Sequence, residues 1–246
     1  MKYIATTLLL IALLVSSAGS TPSTHIWGPS TDIQPYLKWH ITGDIYLPTE
    51  TQTGGTLIPP VSNLGLTVGI LPFERIGCEV GFDHKGGLGN LDRKPVYYNL
   101  KLGVPETALV SWSPAIACGG YDFGTEADLT DFNLLYLKVA KTIKSGDTDF
   151  GRISAGYFTG NKVLLLDQNG EKDNAGLMVA WERSIPEFSD KLWVCAEYMG
   201  TNSSYGTSNL GFAWKFAENV GVLLGYDIPN NSQLPATLTF QVDIDF

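Results

Sequence analysis

Residues 236–246 constrain this chain more than any other stretch. Ala236, Leu238, Phe240, Val242, Ile244 and Phe246 are apolar; Thr237, Thr239, Gln241, Asp243 and Asp245 between them are polar. The period is two without an error, which is the signature of a β-strand with one greasy and one wet face. A strand at the edge of a water-soluble sheet is ordinarily blunted with charge rather than finished on Phe. A strand paired on both sides in a closed sheet, with its greasy face against lipid, has no such need.

The same alternation recurs along the chain. It predicts strands over 33–47, 62–71, 76–83, 96–104, 113–123, 132–142, 150–160, 174–183, 191–200, 208–217, 219–228 and 236–246. Strand five is rich in Ala and Gly, so its parity stays ambiguous. Twelve is even, as a single-chain bacterial barrel requires. Connections 1–2, 3–4, 5–6, 7–8 and 11–12 are mostly long and polar, whereas 2–3 and 10–11 are very short. Tyr98, Trp181, Tyr198, Trp214, Tyr226 and Phe246 fall on the greasy parity and suit interfacial girdles. The expected fold is all-β: one antiparallel up-and-down transmembrane β-barrel of about 12 strands over residues 33–246. A soluble exported β-sandwich or lipocalin-like barrel shares the alternation. Strand length, Phe246 and ionisable residues mid-strand favour the membrane.

The final strand resembles the C-terminal strand of bacterial outer-membrane β-barrels, which ends in an aromatic residue. The resemblance implies a porin-like barrel in a Gram-negative outer membrane. It also implies that Phe240, Val242, Ile244 and Phe246 act as an assembly signal read by the barrel-assembly machinery, with lipid and lipopolysaccharide as surroundings.

Residues 1–20 read as a cleaved signal peptide: Lys2, an apolar run over 4–15, and small residues at 16–20. Residues 21–32 form a Pro/Ser/Thr-rich periplasmic lead-in, expected as a tail; the other reading tucks Ile26 and Trp27 into the barrel mouth as a small plug. The chain carries 16 basic and 25 acidic residues; losing Lys2 leaves 15 against 25, a charge of −10. That acidity argues against nucleic acid as a partner. Cys78, Cys118 and Cys195 are an odd set within strands, expected to pack as small apolar residues rather than to form a disulfide framework.

Strand parity assigns Lys38, His40, Asp44, Glu79, Asp83, Lys101, Lys138, Arg152, Glu182, Glu197, Lys215, Asp227 and Asp243, with Asp245, to the wet face. Charges at membrane depth are paired or wet. The expected function is a narrow passive channel for small polar solutes or ions with slight cation preference; the alternative is a non-conducting barrel acting through its surface loops. Gly65, Gly69, Gly77, Gly81, Gly103, Gly156, Gly211, Gly221 and Gly225 on that face would leave space. No cofactor and no catalysis are expected. Outer-membrane phospholipases also have twelve strands, but their His-x-Ser pair is absent here: His84, with Ser62 as a candidate neighbour, is followed by Lys85-Gly86. Asp167, Asn169, Glu171 and Asp173 alternate around Gly170 as Ca²⁺ ligands can, though an Asn-Gly hairpin turn explains the same residues.

Overall fold

The computed structural model describes residues 23–51 and 55–246; residues 1–20, expected to be a signal peptide, lie outside them. Twelve strands follow one another: β1 Trp39–Pro48, β2 Val61–Gly69, β3 Gly77–Gly86, β4 Val96–Val104, β5 Ala115–Phe123, β6 Asp131–Ser145, β7 Thr148–Thr159, β8 Ala175–Ser184, β9 Leu192–Met199, β10 Thr207–Ala217, β11 Val220–Pro229 and β12 Thr237–Asp245. Each pairs antiparallel with its sequence neighbours, and β12 pairs with β1 to close the barrel. Its register runs from His40 opposite Asp245 to Pro48 opposite Thr237, and Trp39 and Phe246 exchange backbone hydrogen bonds at 3.3 and 2.9 Å. Closure pairs the backbone of every strand on both sides, the one way a sheet can sit in hydrocarbon.

The outer face is apolar all the way round. Leu100, Leu135, Leu137, Val179, Leu210, Phe212, Leu224 and Phe240 point outward and are exposed. Outward Tyr98, Tyr157, Tyr198 and Tyr226 lie toward one rim. Trp39, Trp181, Phe216 and Phe246 are exposed toward the other, with Trp214 half-buried. An apolar belt between two aromatic rings is far larger than the patches a soluble monomer leaves in water. It matches the hydrocarbon-and-interface profile of a bilayer.

The connections sort by end. Residues 49–51, 55–60, 87–95, 124–130, 160–174, 200–206 and 230–236 crowd one rim, the loop end. The tight β6–β7 and β10–β11 turns lie at the other, the terminus end, with the start of β1. At the loop end, 160–174 and 200–206 fold inward. Leu165 and Tyr205 join Leu134, Tyr136, Phe158, Met178 and Met199 in a buried cluster, flanked by Trp27, Tyr121 and Phe132.

Three expectations are corrected. The first strand begins at Trp39 rather than at residue 33. Pro35 offers no N–H to a ladder, Lys38 N–H turns back to the Pro35 carbonyl (3.0 Å), and Leu37 adopts φ 58°. Residues 33–38 therefore leave the antiparallel ladder, though residues 36–38 still bond to Gly69 at the end of β2, and Lys38 is exposed at the rim ahead of β1. In β5 a bulge explains the ambiguous parity: Asp122 has φ 56°, and the pairing skips between Tyr121 and Phe123. Tyr121 and Asp122 consequently both face inward. Cys78 and Cys195 are buried free thiols as expected, but Cys118 is exposed, because its register partners Leu102 and Leu137 place it on the outer belt.

Candidate functional site

Residues 23–34 run inside the barrel. The plug reading of the lead-in, rather than the tail, is what the packing fits. Ile26 is 1% exposed and packs on Trp193, Cys195 and Leu223. A Cβ at Gly211 or Gly225 would come within 2.9 Å of the Ile26 side chain, and one at Gly77 or Gly103 within 2.8 Å of Ile33. Those inward glycines make room for the lead-in rather than for water.

Charge holds the segment in place. Lys101 Nζ donates to the carbonyls of Ser23 (2.8 Å) and Asp32 (2.7 Å) and pairs with Glu79 (2.9 Å). Lys138 Nζ donates to the Pro29 carbonyl (2.9 Å) and meets His25 Nδ1 at 3.2 Å. An ammonium can only donate, so Nδ1 accepts and the proton sits on Nε2, which reaches Glu182 at 3.3 Å. Trp193 Nε1 donates to the same carboxylate (3.0 Å). Arg152 forks onto the Asp32 carboxylate (2.7 and 2.8 Å) and reaches Thr31 Oγ1. Glu197 accepts from the backbone N–H groups of Trp27 and Gly28, and Glu79 from that of Gln34 (2.7 Å). Gln241 Nε2 donates to the Ile26 carbonyl (2.6 Å). Burying these ions bare would cost several kcal/mol each; the ordered lead-in supplies their partners.

The terminus end is tied by further contacts. His40 lies 3.3 Å from Asp243 and 3.0 Å from Asp245, and Gln34 Nε2 donates to Asp245 (3.2 Å). A Cβ on Gly69 would fall 2.1 Å from the Pro35 carbonyl oxygen, so the chain crosses this strand at a distance only glycine permits.

The opposite wall differs. Inward residues of β6–β9 are buried: Tyr136, Lys138, Ser154, Met178, Glu182, Trp193, Glu197 and Met199. On β1–β4 the inward His40, Thr67, Glu79, Tyr97 and Lys101 are buried too, whereas Thr42, Asp44, Tyr46, Asn63, Asp83 and Asn99 form a stretch that is only partly buried. Asp44 accepts from Thr42 (2.7 Å) and Asn63 (3.0 Å), and Asp83 from Asn63 (3.1 Å) and Asn99 (2.9 Å). Asp227 accepts from Thr237 and Thr239.

Parity thus brings Glu79, Lys101, Lys138, Arg152, Glu182 and Glu197 together against the lead-in. Asp44 and Asp83 line the open wall, Asp227 is buried beside it on β11, and His40 and Asp243 close the terminus end. Lys215 sits half-buried toward that end of β10, near enough to attract the Asp245 carboxylate. Parity missed Lys85, one step past the expected end of strand three. Its ammonium contacts the bulged Asp122 at 2.6 Å, and the Tyr205 hydroxyl donates to the same carboxylate. It also missed His25 and Asp32; their trace in the sequence is the His-Ile-Trp cluster in a small-residue segment facing strands rich in inward Gly.

Two weaker candidates resolve into local structure. Asp167 accepts from the N–H groups of Asn169 (2.8 Å) and Glu171 (2.9 Å) around Gly170 at φ 78°, a tight turn. Asp173 instead takes both Asn202 donors. His84 and Ser62 face outward, but across the ladder they sit opposite Leu64 and Gly86 rather than each other.

No family model matches this sequence, and no curated protein matches it. Among solved structures, the KdgM porin is similar at 9% identity and TM-score 0.48, over 85% of this chain and 98% of that one. An outer membrane channel from Pseudomonas putida F1 is similar at 10% identity and TM-score 0.48, over 92% of this chain and 100% of that one. A mutant of the Rh. blastica porin gives 10% identity and TM-score 0.40 over 76% of this chain. The alignment spans 55% of that porin, about half its length. Likenesses this remote carry no residue role or solute across to this chain.

Proposed function

We propose that this chain is a bacterial outer-membrane barrel serving as a narrow passive channel for small polar solutes or ions, with its own N-terminal segment as the constriction. The observation that carries this reading is the partly exposed polar stretch of β1–β4, Thr42, Asp44, Tyr46, Asn63, Asp83 and Asn99, inside an apolar belt. A polar lining reachable by water is what a conducting barrel needs. The lead-in neutralises the basic wall, so Asp44 and Asp83 dominate the open side and favour cations. Lipid, lipopolysaccharide and the barrel-assembly machinery, acting through Phe240, Val242, Ile244 and Phe246, are the partners this reading requires.

A second reading is supported by the ties at the terminus end, where Gln34, His40, Asp243 and Asp245 join the lead-in to the wall. Under it the barrel stays shut and works through its loops. Planar-bilayer recording separates the two. The channel reading expects discrete steps with weak cation preference, enlarged when residues 23–34 are removed. Silence from both the whole barrel and the deletion, with folding intact, would establish the shut barrel instead.

A further inference from the structure

The open wall consists of acceptors without a cation. Asp44 and Asp83 have only neutral partners: Thr42, Asn63 and Asn99. Asn63 spends both amide hydrogens on the two carboxylates, which leaves its buried Oδ1 without a donor. Asp227, 2% exposed, takes two threonine hydroxyls on Oδ2 while its Oδ1 has no partner. One of those threonines, Thr239, is the register partner of Tyr46, so the carboxyl is drawn toward the Tyr46 level of the lumen. Tyr46 in turn meets Trp27 edge to face, with ring centroids 5.4 Å apart. The nearest ammonium on this face, Lys85, is engaged by Asp122 and lies 5.0 Å over the Tyr97 ring.

We infer that this wall binds an organic cation bearing ammonium or guanidinium groups, with Asp44 and Asp83 taking one charged end, Asp227 the other, and Trp27 and Tyr46 lying against the apolar stem. The occupant must donate hydrogen bonds, because the orphaned atoms all accept. It must carry positive charge, because none of the three carboxylates has a cation within ion-pair distance, and Lys85, which attracts Asp83 from further off, is held by Asp122. It must be extended, because Asp44 and Asp83 stand on β1 and β3 while Asp227 stands on β11, with β12 between. Aromatic faces beside carboxylates are the usual setting for organic cations. The inference rests on the channel reading above and names its solute class.

The test is calorimetric titration of the folded barrel in detergent with 1,4-diaminobutane, with 1,4-butanediol as the uncharged control of equal length. Saturable binding of the diamine alone is expected. Asp44→Asn with Asp83→Asn should weaken it by about tenfold or more, and Asp227→Asn should weaken it as well. Asp147→Asn in the β6–β7 turn should leave it unchanged. Equal binding of the diol, no binding of the diamine, or an unchanged affinity in a double variant that retains barrel circular dichroism would overturn the site. So would Mg²⁺ binding more tightly at the same carboxylates. Bilayer recording separates this failure from that of the channel: binding without conduction sinks the channel and keeps the site, and conduction without binding does the reverse.

Discussion

At the scale of single residues, inward or outward facing was legible and partners were not. Lys101, Lys138 and Arg152 face the lumen because the strand period requires it, yet what neutralises them comes from a segment far away in sequence and without period. Glu106, in the β4–β5 connection, shows how local partners set a charge. Burial works to raise its carboxyl, but Lys141 at 2.8 Å and the hydroxyl and N–H of Thr142 outweigh that and hold it below the usual glutamate range. A lowered folded value means the contribution is complete above the unfolded value of about 4.3 and is lost as pH falls through the folded one. Glu106→Gln should cost about 1 kcal/mol of local stability at neutral pH, since the pair is partly screened. Faster exchange of the Thr142 amide in the variant, with the difference vanishing in acid, is the expected readout. Gly69→Ala should be worse, because its Cβ would collide with the backbone of Gln34 and Pro35. The lead-in should lift from β2 and become accessible to protease in folded barrels.

Among the elements, eleven strands are readable within a few residues, because all but β5, which bulges at Asp122, keep one period against one apolar environment. The first strand was overcalled because residues 33–38 keep the alternation without the ladder; Pro35 and the left-handed Leu37 decide that, and periodicity does not register either. The lead-in was undercalled for the opposite reason. It has no period at all and is ordered by ions on other strands. Asp32→Asn removes the carboxylate that Arg152 grips in two bonds. It should raise the frequency of open events in bilayer recordings without lowering barrel yield, whereas a purely structural role would lower yield and leave gating alone. The β1–β12 seam makes a different demand. Phe246 completes the backbone exchange with Trp39 and stands 57% exposed on the outer face. Removing it should reduce barrel in the outer membrane severalfold while periplasmic export continues, as measured by fractionation. Normal barrel levels would count against its role as an assembly signal.

For the molecule as a whole, selectivity follows from how the lumen divides its charges. Five cations against eight carboxylates, read from parity, suggest only a mild acidic excess. The structure sharpens it: Lys101, Lys138 and Arg152 are spent on the lead-in, and Lys38 is exposed at the rim. Under the proposed channel reading, a passing ion would meet Asp44 and Asp83 with neutral amides between them. An ion in a narrow low-dielectric pore feels such fixed charges far more than it would in bulk water. Asp44→Lys should therefore turn the cation preference toward anions, read as a change in sign of the reversal potential under a salt gradient. Lys38→Glu, although also a two-charge change, should leave that potential nearly where it was, because an exposed charge at the rim is screened within about 10 Å at 0.1 M salt. Raising the salt should shrink the Lys38→Glu effect further and leave most of the Asp44→Lys effect standing. Equal shifts from the two variants would mean that the rim rather than the wall of β1–β4 sets selectivity, and that ions take a path other than the one beside Asp44.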